Sequence, residues 1–193
     1  MQINQLNRES SFGNENLPDT LLVKFCEIQD EIGYPKVKVT LNGEQKGDII
    51  DDNSFQNDGY RYHDVFHYTF ATLLDWSPCA RAMLKRKRKS DLNIDRIEDG
   101  ARAAITEEAI SLMIFEEAKI NNFYQEKNTV SPTILTIIKQ MTSGFEVRDR
   151  TSEEWENAIL ASYKLFRLLL KNGGGEILFD RKNKTINYSP VVN

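Results

Sequence analysis

Beyond residue 60, apolar residues recur every three or four positions, and proline, glycine and capping residues cut the pattern into helix-sized pieces. Trp155, Ile159, Tyr163, Phe166 and Leu170 form one stripe of a helix that Thr151-Ser152-Glu153-Glu154 opens. Asn172 and Gly173 to Gly175 close it. Ser131-Pro132 opens another, ending near Ser143-Gly144. Ser77-Pro78 caps a helix from Cys79 to about Lys89, Tyr60 to Trp76 is aromatic-rich and amphipathic, and a long helix is expected from about Ile94 to Gln125. Pro18-Asp19 starts one more, Thr20 to Ile32, in which Leu21, Leu22, Phe25, Ile28 and Ile32 fall at helical spacing.

Strand signals are few. Val37, Val39 and Leu41 alternate with Lys36, Lys38 and Thr40 and run into Asn42-Gly43, a hairpin turn, with a return strand over Glu44 to Ile50. A second hairpin joins Glu176–Phe179 to Thr185–Tyr188. The expected fold is therefore mainly α: a bundle of about six helices with one or two small β-hairpins. It would form one domain over residues 17–193, behind a flexible tail over 1–16 rich in Asn, Ser and Glu.

Composition narrows the function classes. A chain of 193 residues can bury roughly 70% of its unfolded surface. Hydrophobic residues are 40% and charged residues 28%, which fits a soluble globular domain and excludes disulfide scaffolds and low-complexity chains. No apolar run approaches the ~18–20 residues of a membrane span, and the polar start has no signal-peptide core. Cys26 and Cys79 make no metal-ligand spacing and read as thiols of a reducing cytoplasm, where the protein is expected. A net charge of −4 argues against a nucleic-acid partner. His63 and His67 are the only histidines, so a three-histidine zinc hydrolase cannot be built.

Three clusters could carry chemistry. Advancing ~100° per residue from Ile97, Ala101, Ala104, Leu112 and Phe115 form a narrow apolar stripe with Glu108 in its middle. A carboxylate there must be paired, hydrogen-bonded or metal-bound. Glu107 and Ser111 flank it on one side, Glu98 and Glu116 on the other. Such a cluster can hold a divalent ion, or Glu108 can pair with an arginine of a neighbouring helix. In the second cluster, Asp64 and His67 stand i, i+3 and His63 and His67 i, i+4. Asp64 could ligate a hard cation while His67 positions water or a phosphate. Alternatively, both histidines hold a transition metal, or they pack half-buried among Tyr60, Tyr62, Phe66 and Tyr68. His63-Asp64 also invites comparison with the HD phosphohydrolases, which need a further, well-separated histidine that this chain lacks. The third cluster is the basic run Lys85 to Lys89, suited either to an anionic ligand or to a solvated surface.

Together YRYHDVFH, KRKRKSD, EDGARAAITEEA, GFEVRDRTSEEWENAI and the GGG hairpin resemble the MazG-like group, all-α nucleoside triphosphate pyrophosphohydrolases, and more narrowly the domain found C-terminal to the MazG fold. The resemblance covers about residues 59–188. It implies a helical bundle, often dimeric, with Mg²⁺ on an E-E-x-x-E and an E-x-x-D segment of facing helices, and cleavage of nucleoside triphosphates to the monophosphate and pyrophosphate. Glu107-Glu108 fits the start of the first segment, with Ser111 at its last position. Asp64 stands for the aspartate of the second, with Arg61 at its glutamate position; Glu146 and Asp149 supply another E-x-x-D.

The resemblance then implies Asp64, Glu98, Glu107 and Glu108 around one or two Mg²⁺, or Mn²⁺ in its place. Glu107 would orient the attacking water, with His67 as the second catalytic residue. Lys85, Arg86 and Arg88 would grip the phosphates, and Tyr60 or Tyr62 would stack on the base. Expected partners are the nucleotide and a second copy of the chain. The alternative is a nucleotide-sensing or scaffold bundle without turnover.

Overall fold

The computed structural model describes residues 14–45, 49–55 and 57–190. All but the last three residues of the expected tail lie outside these. Five strands form a single antiparallel sheet: β1 (Thr20–Gln29), β2 (Pro35–Leu41), β3 (Glu44–Gln45), β4 (Gly174–Asp180) and β5 (Thr185–Ser189), in the order β3-β2-β1-β4-β5. The described residues also form six α-helices: α1 (Asp64–Leu73), α2 (Pro78–Met83), α3 (Leu92–Ile97), α4 (Ala101–Ile120), α5 (Pro132–Met141) and α6 (Ser152–Asn172). Short 3₁₀ turns at Tyr60–Tyr62, Asn122–Tyr124 and Glu146–Asp149 link them.

This corrects the expectation of a mainly α bundle with small hairpins. The overturning element is β1, read above as a helix. Leu21, Val23 and Phe25 are buried while Leu22 between them is exposed, which is the two-residue period of a strand. β1 sits at the centre and joins the two expected hairpins into one sheet, pairing Phe25 with Val39 of β2 and Val23 with Ile177 of β4. Gly174 starts β4 at φ 128, and a Cβ there would stand 2.2 Å from the Phe25 carbonyl oxygen, so only glycine lets the two backbones meet. The Asn42-Gly43 turn forms as read, and among the described residues of the expected return strand Glu44–Gln45 is a strand and Ile50 makes an isolated bridge to Val37.

The inner face of the sheet, built from Val23, Phe25, Val39, Ile177 and Phe179, packs on the aromatic residues around α1. Tyr68 lies against Phe179 and Phe25, and Phe25 also meets Tyr62. α6 closes the other side of α1 through Phe66 against Tyr163 and Phe166, and Phe70 against Trp155. Burying each such side chain contributes about 1.5–3 kcal/mol, so α1 is clamped along its length. The capping box read at Thr151 is present, with Glu154 accepting from the Thr151 amide and Thr151 from that of Glu154.

The expected long helix Ile94–Gln125 is two helices, α3 and α4, broken at residues 98–100. Asp91 caps α3 by accepting from the amides of Asn93 and Ile94. Gly100 turns the chain so tightly that a Cβ there would lie 2.2 Å from the Arg96 carbonyl oxygen. The break resets the helical phase that was counted from Ile97.

Candidate metal centre

The phase reset decides which glutamate faces inward. The buried side of α4 is Ala103, Glu107, Ile110, Ser111, Ile114, Phe115 and Ala118. Leu112, placed above in the apolar stripe, is exposed, and Glu108 sits at the rim with its side chain 47% exposed. The interior carboxylate is Glu107, at 0% exposure.

Glu107 is surrounded by donors. His67 Nδ1 donates to its Oε1 at 2.8 Å, Ser77 Oγ donates to the same oxygen at 2.7 Å, and the Cys79 amide donates to Oε2 at 2.9 Å. Ser77 is also the N-cap of α2, accepting from the Ala80 amide at 2.9 Å. The start of α2, α1 and α4 are thus tied through one carboxylate. Three of its roughly four acceptor sites are taken by the protein, both of those on Oε1 among them, which suits an orienting group.

The histidines complete the arrangement. His67 is 1% exposed, and with Nδ1 held by Glu107 its Nε2 has no hydrogen-bond partner. Glu108 Oε1 lies 3.2 Å from that nitrogen, but off the line a hydrogen bond requires. His63, on the turn before α1, donates from Nδ1 to the Tyr60 carbonyl at 3.1 Å, and its Nε2 is 3.6 Å from Asp64 Oδ1. A ring nitrogen of each histidine and a carboxylate oxygen of Glu108 all lie within 4.8 Å of one another. The Tyr60 ring stacks on His63, 4.7 Å between centroids and 7° from parallel, and fixes its plane.

Electrostatics follow this packing. Burial opposes the charged form of His67, yet Glu107 and then Glu108 hold its proton on well above the ordinary imidazole range. Burial pushes the Glu108 carboxyl up, but His67 beside it, with His63 and the Cys79 thiol, brings it down to about 2. Asp64 is raised by burial and, in part, by the nearby Glu108 charge. Burial, Glu107 and Glu108 all push the Cys79 thiol up, away from the thiolate that ligates metals or attacks substrates.

The structure therefore brings Asp64, His67, Glu107 and Glu108 together and adds His63, Ser77 and Cys79. Glu98 is elsewhere: it follows α3 and accepts the Glu146 amide at 3.1 Å with each oxygen. Arg88 is committed as well. Its backbone amide and guanidinium reach both oxygens of Asp99, which is 0% exposed, at 2.6–3.1 Å, and the guanidinium forks onto Glu146 at 2.8 and 3.0 Å. Arg81 approaches Asp99 at 3.7 Å. Glu146 is thus taken by Arg88, and Asp149 is exposed. Arg86 Nη1 donates to the Asn14 carbonyl, and Lys85 is exposed at φ 56. Among the described residues, no hydrogen bond or ion pair joins Lys85, Arg86 or Arg88 to Asp64, Glu107 or Glu108. Tyr62 is fully buried and donates to Glu27 of β1 at 2.9 Å, while Tyr60 is engaged by His63, so neither presents a free ring for a base.

Sequence reasoning missed Ser77 and Cys79 as partners of Glu107. The signal was there for Ser77, a cap whose hydroxyl hydrogen still needs an acceptor. For Cys79 the contact is made by a backbone amide, which leaves no mark in the sequence.

The MazG C-terminal domain family model matches residues 4–192. No curated protein and no solved structure matches the chain.

Proposed function

This chain belongs to the MazG C-terminal domain family, and on that premise we propose that it is a metal-dependent nucleoside triphosphate pyrophosphohydrolase working at the α1–α4 cluster. The observation that carries this reading is the buried His67 with one nitrogen tied to Glu107 and the other, unpartnered, beside Glu108. Buried polar atoms are nearly always satisfied; Trp76, Ser111, Trp155 and Tyr163 also hold an unpartnered atom, but only that of His67 lies beside a carboxylate at the rim. No helix among the described residues is long and apolar enough to cross a membrane.

Mg²⁺, the ion the MazG resemblance implies, would find hard oxygen ligands in Glu108 and Asp64. The unpartnered imidazole nitrogen fits it less well than it fits Mn²⁺, which accepts oxygen and nitrogen alike. When bound, such an ion supplies an activated water and offsets negative charge on phosphoryl oxygens. The chain's own residues do the rest. Glu107 fixes the His67 ring and keeps a proton on Nδ1, so that an ion taken up at Nε2 displaces the second proton that the unloaded imidazolium carries. Glu108, held ionised beside His67, faces solvent and offers the pocket's accessible carboxylate oxygens. Of the basic run only Arg88 is drawn into the Asp99–Glu146 network, and among the cations outside it Lys85 and Arg86 would meet a phosphate tail.

The test is pyrophosphate release from common and modified nucleoside triphosphates by the purified chain with Mn²⁺ or Mg²⁺. Turnover is expected, falling to background in Glu108→Gln. Absence of release from every triphosphate would reject this reading. Nucleotide binding without hydrolysis, by calorimetry, would establish the sensing alternative, which the engagement of Arg88 by Asp99 and Glu146 favours.

A further inference from the structure

The orientation of the two imidazoles is the feature that goes furthest. A histidine that ligates a metal typically gives its other ring nitrogen to an oxygen acceptor, which sets tautomer and ring plane. Both histidines of this chain do so. His63 Nδ1 is bound by the Tyr60 carbonyl at 3.1 Å and His67 Nδ1 by Glu107 at 2.8 Å. The remaining nitrogen on each is Nε2, which on His63 has Asp64 Oδ1 at 3.6 Å. That of His67 is buried without a hydrogen bond. It stands 3.2 Å from Glu108 Oε1, as two ligands do when each binds one ion at about 2.0–2.2 Å.

We propose that His63 Nε2, His67 Nε2 and a Glu108 oxygen form a mononuclear site for a nitrogen-accepting first-row divalent ion, from Mn²⁺ to Zn²⁺, in preference to Mg²⁺. Glu107 is a positioning residue that acts through His67. Two imidazoles and one carboxylate leave coordination positions open. The half-exposed Glu108 puts them on the solvent side, where Asp64 is close by. Mg²⁺ prefers an oxygen octahedron and keeps its waters, so a pair of imidazoles is a poor match. The other grouping of candidate ligands, His67, Cys79 and Glu107, is closed. Glu107 already accepts three hydrogen bonds, and the Cys79 Sγ is turned to the Ala104 carbonyl at 3.7 Å and to Glu108 Oε1 at 3.5 Å.

This inference deepens the hydrolase reading by naming the ion, but its test does not depend on turnover. The full chain, stripped with a chelator, is titrated with Co²⁺ and followed by visible absorption. One equivalent should bind with the d–d bands of a nitrogen-and-oxygen site, be displaced by stoichiometric Zn²⁺, and resist a thousandfold excess of Mg²⁺. His67→Ala should lose the bands. Should that buried variant fail to fold, the surface variant Glu108→Gln should still lose or shift them. Glu107→Gln should weaken Co²⁺ about 10–100-fold and shift the bands, and Glu107→Asp should restore part of the affinity. Featureless spectra in the wild-type chain, bands unchanged in Glu108→Gln, or displacement by millimolar Mg²⁺ would overturn the proposal. Tight Co²⁺ with no pyrophosphate release keeps the site and rejects the hydrolase. Release with Mg²⁺ alone and no Co²⁺ site does the reverse.

Discussion

Two carboxylates with no exposed surface, Asp99 and Glu107, lie eight positions apart around the start of α4, and the protein treats them in opposite ways. Asp99 receives the Arg88 amide and a guanidinium fork, with Arg81 behind, and the far side of Arg88 is taken by Glu146. Donors and acceptors cancel, and the network locks α2, α3 and the 146–149 turn. Glu107 also has a donor at each oxygen, but one of its donors is an imidazole, and an imidazole has a second nitrogen. That nitrogen is left over, beside a half-exposed carboxylate. Arginine closes a buried acid; histidine relays it to the next atom. The first pole serves stability, and the second is the one proposed to take a ligand.

The largest effect should come from opening the closed pole. Asp99→Ala leaves Arg88 and Arg81 without their central acceptor and should cost about 3–5 kcal/mol in urea unfolding, with Co²⁺ affinity of the folded protein unchanged. A loss of metal affinity there would merge the two poles into one. Next, a transition-metal ion at a hundred times its Kd should stabilise the wild-type chain by about 2.7 kcal/mol. Glu108→Gln should abolish that gain and Glu98→Gln should keep it, as read by thermal unfolding with and without chelator. Third, Glu107→Gln should cost about 1.5–3 kcal/mol, the weight of hydrogen bonds to a charged group, and should also impair metal binding. It should be the one substitution that moves both readouts. Smallest, Arg88→Lys exchanges a fork for a single ammonium and should cost about 1 kcal/mol with metal binding intact.

Much of the local structure was legible. The capping box at Thr151, the Ser77-Pro78 helix start and the Asn42-Gly43 turn are short-range chemistry, and each forms where it was read. Both hairpins of the sheet were legible, but its central strand was not, because Leu21, Leu22, Phe25 and Ile28 fit a helical period while Leu21, Val23 and Phe25 fit a strand. The deciding interaction is remote: Thr20 pairs with Asp180 across the whole chain. At the site, the i, i+4 histidines and the adjacent glutamates were visible as candidates. Their roles were not. Counting from Ile97 crossed the Gly100 turn and exchanged Glu107 for Glu108. Glu98 was drawn in by the same continuous helix, though the break leaves it with Glu146. The basic run looked free because its acceptors, Asp99 and Glu146, come from segments that only the fold brings beside Arg88.

Anomalous diffraction at the cobalt edge from a Co²⁺-loaded crystal would test the contrast between the poles most directly. A single strong peak about 2 Å from His63 Nε2, His67 Nε2 and a Glu108 oxygen, with Glu107 still holding His67 Nδ1, is the predicted result. A peak among Glu98, Asp99 and Glu146, or none near the histidines at full occupancy in solution, would contradict it.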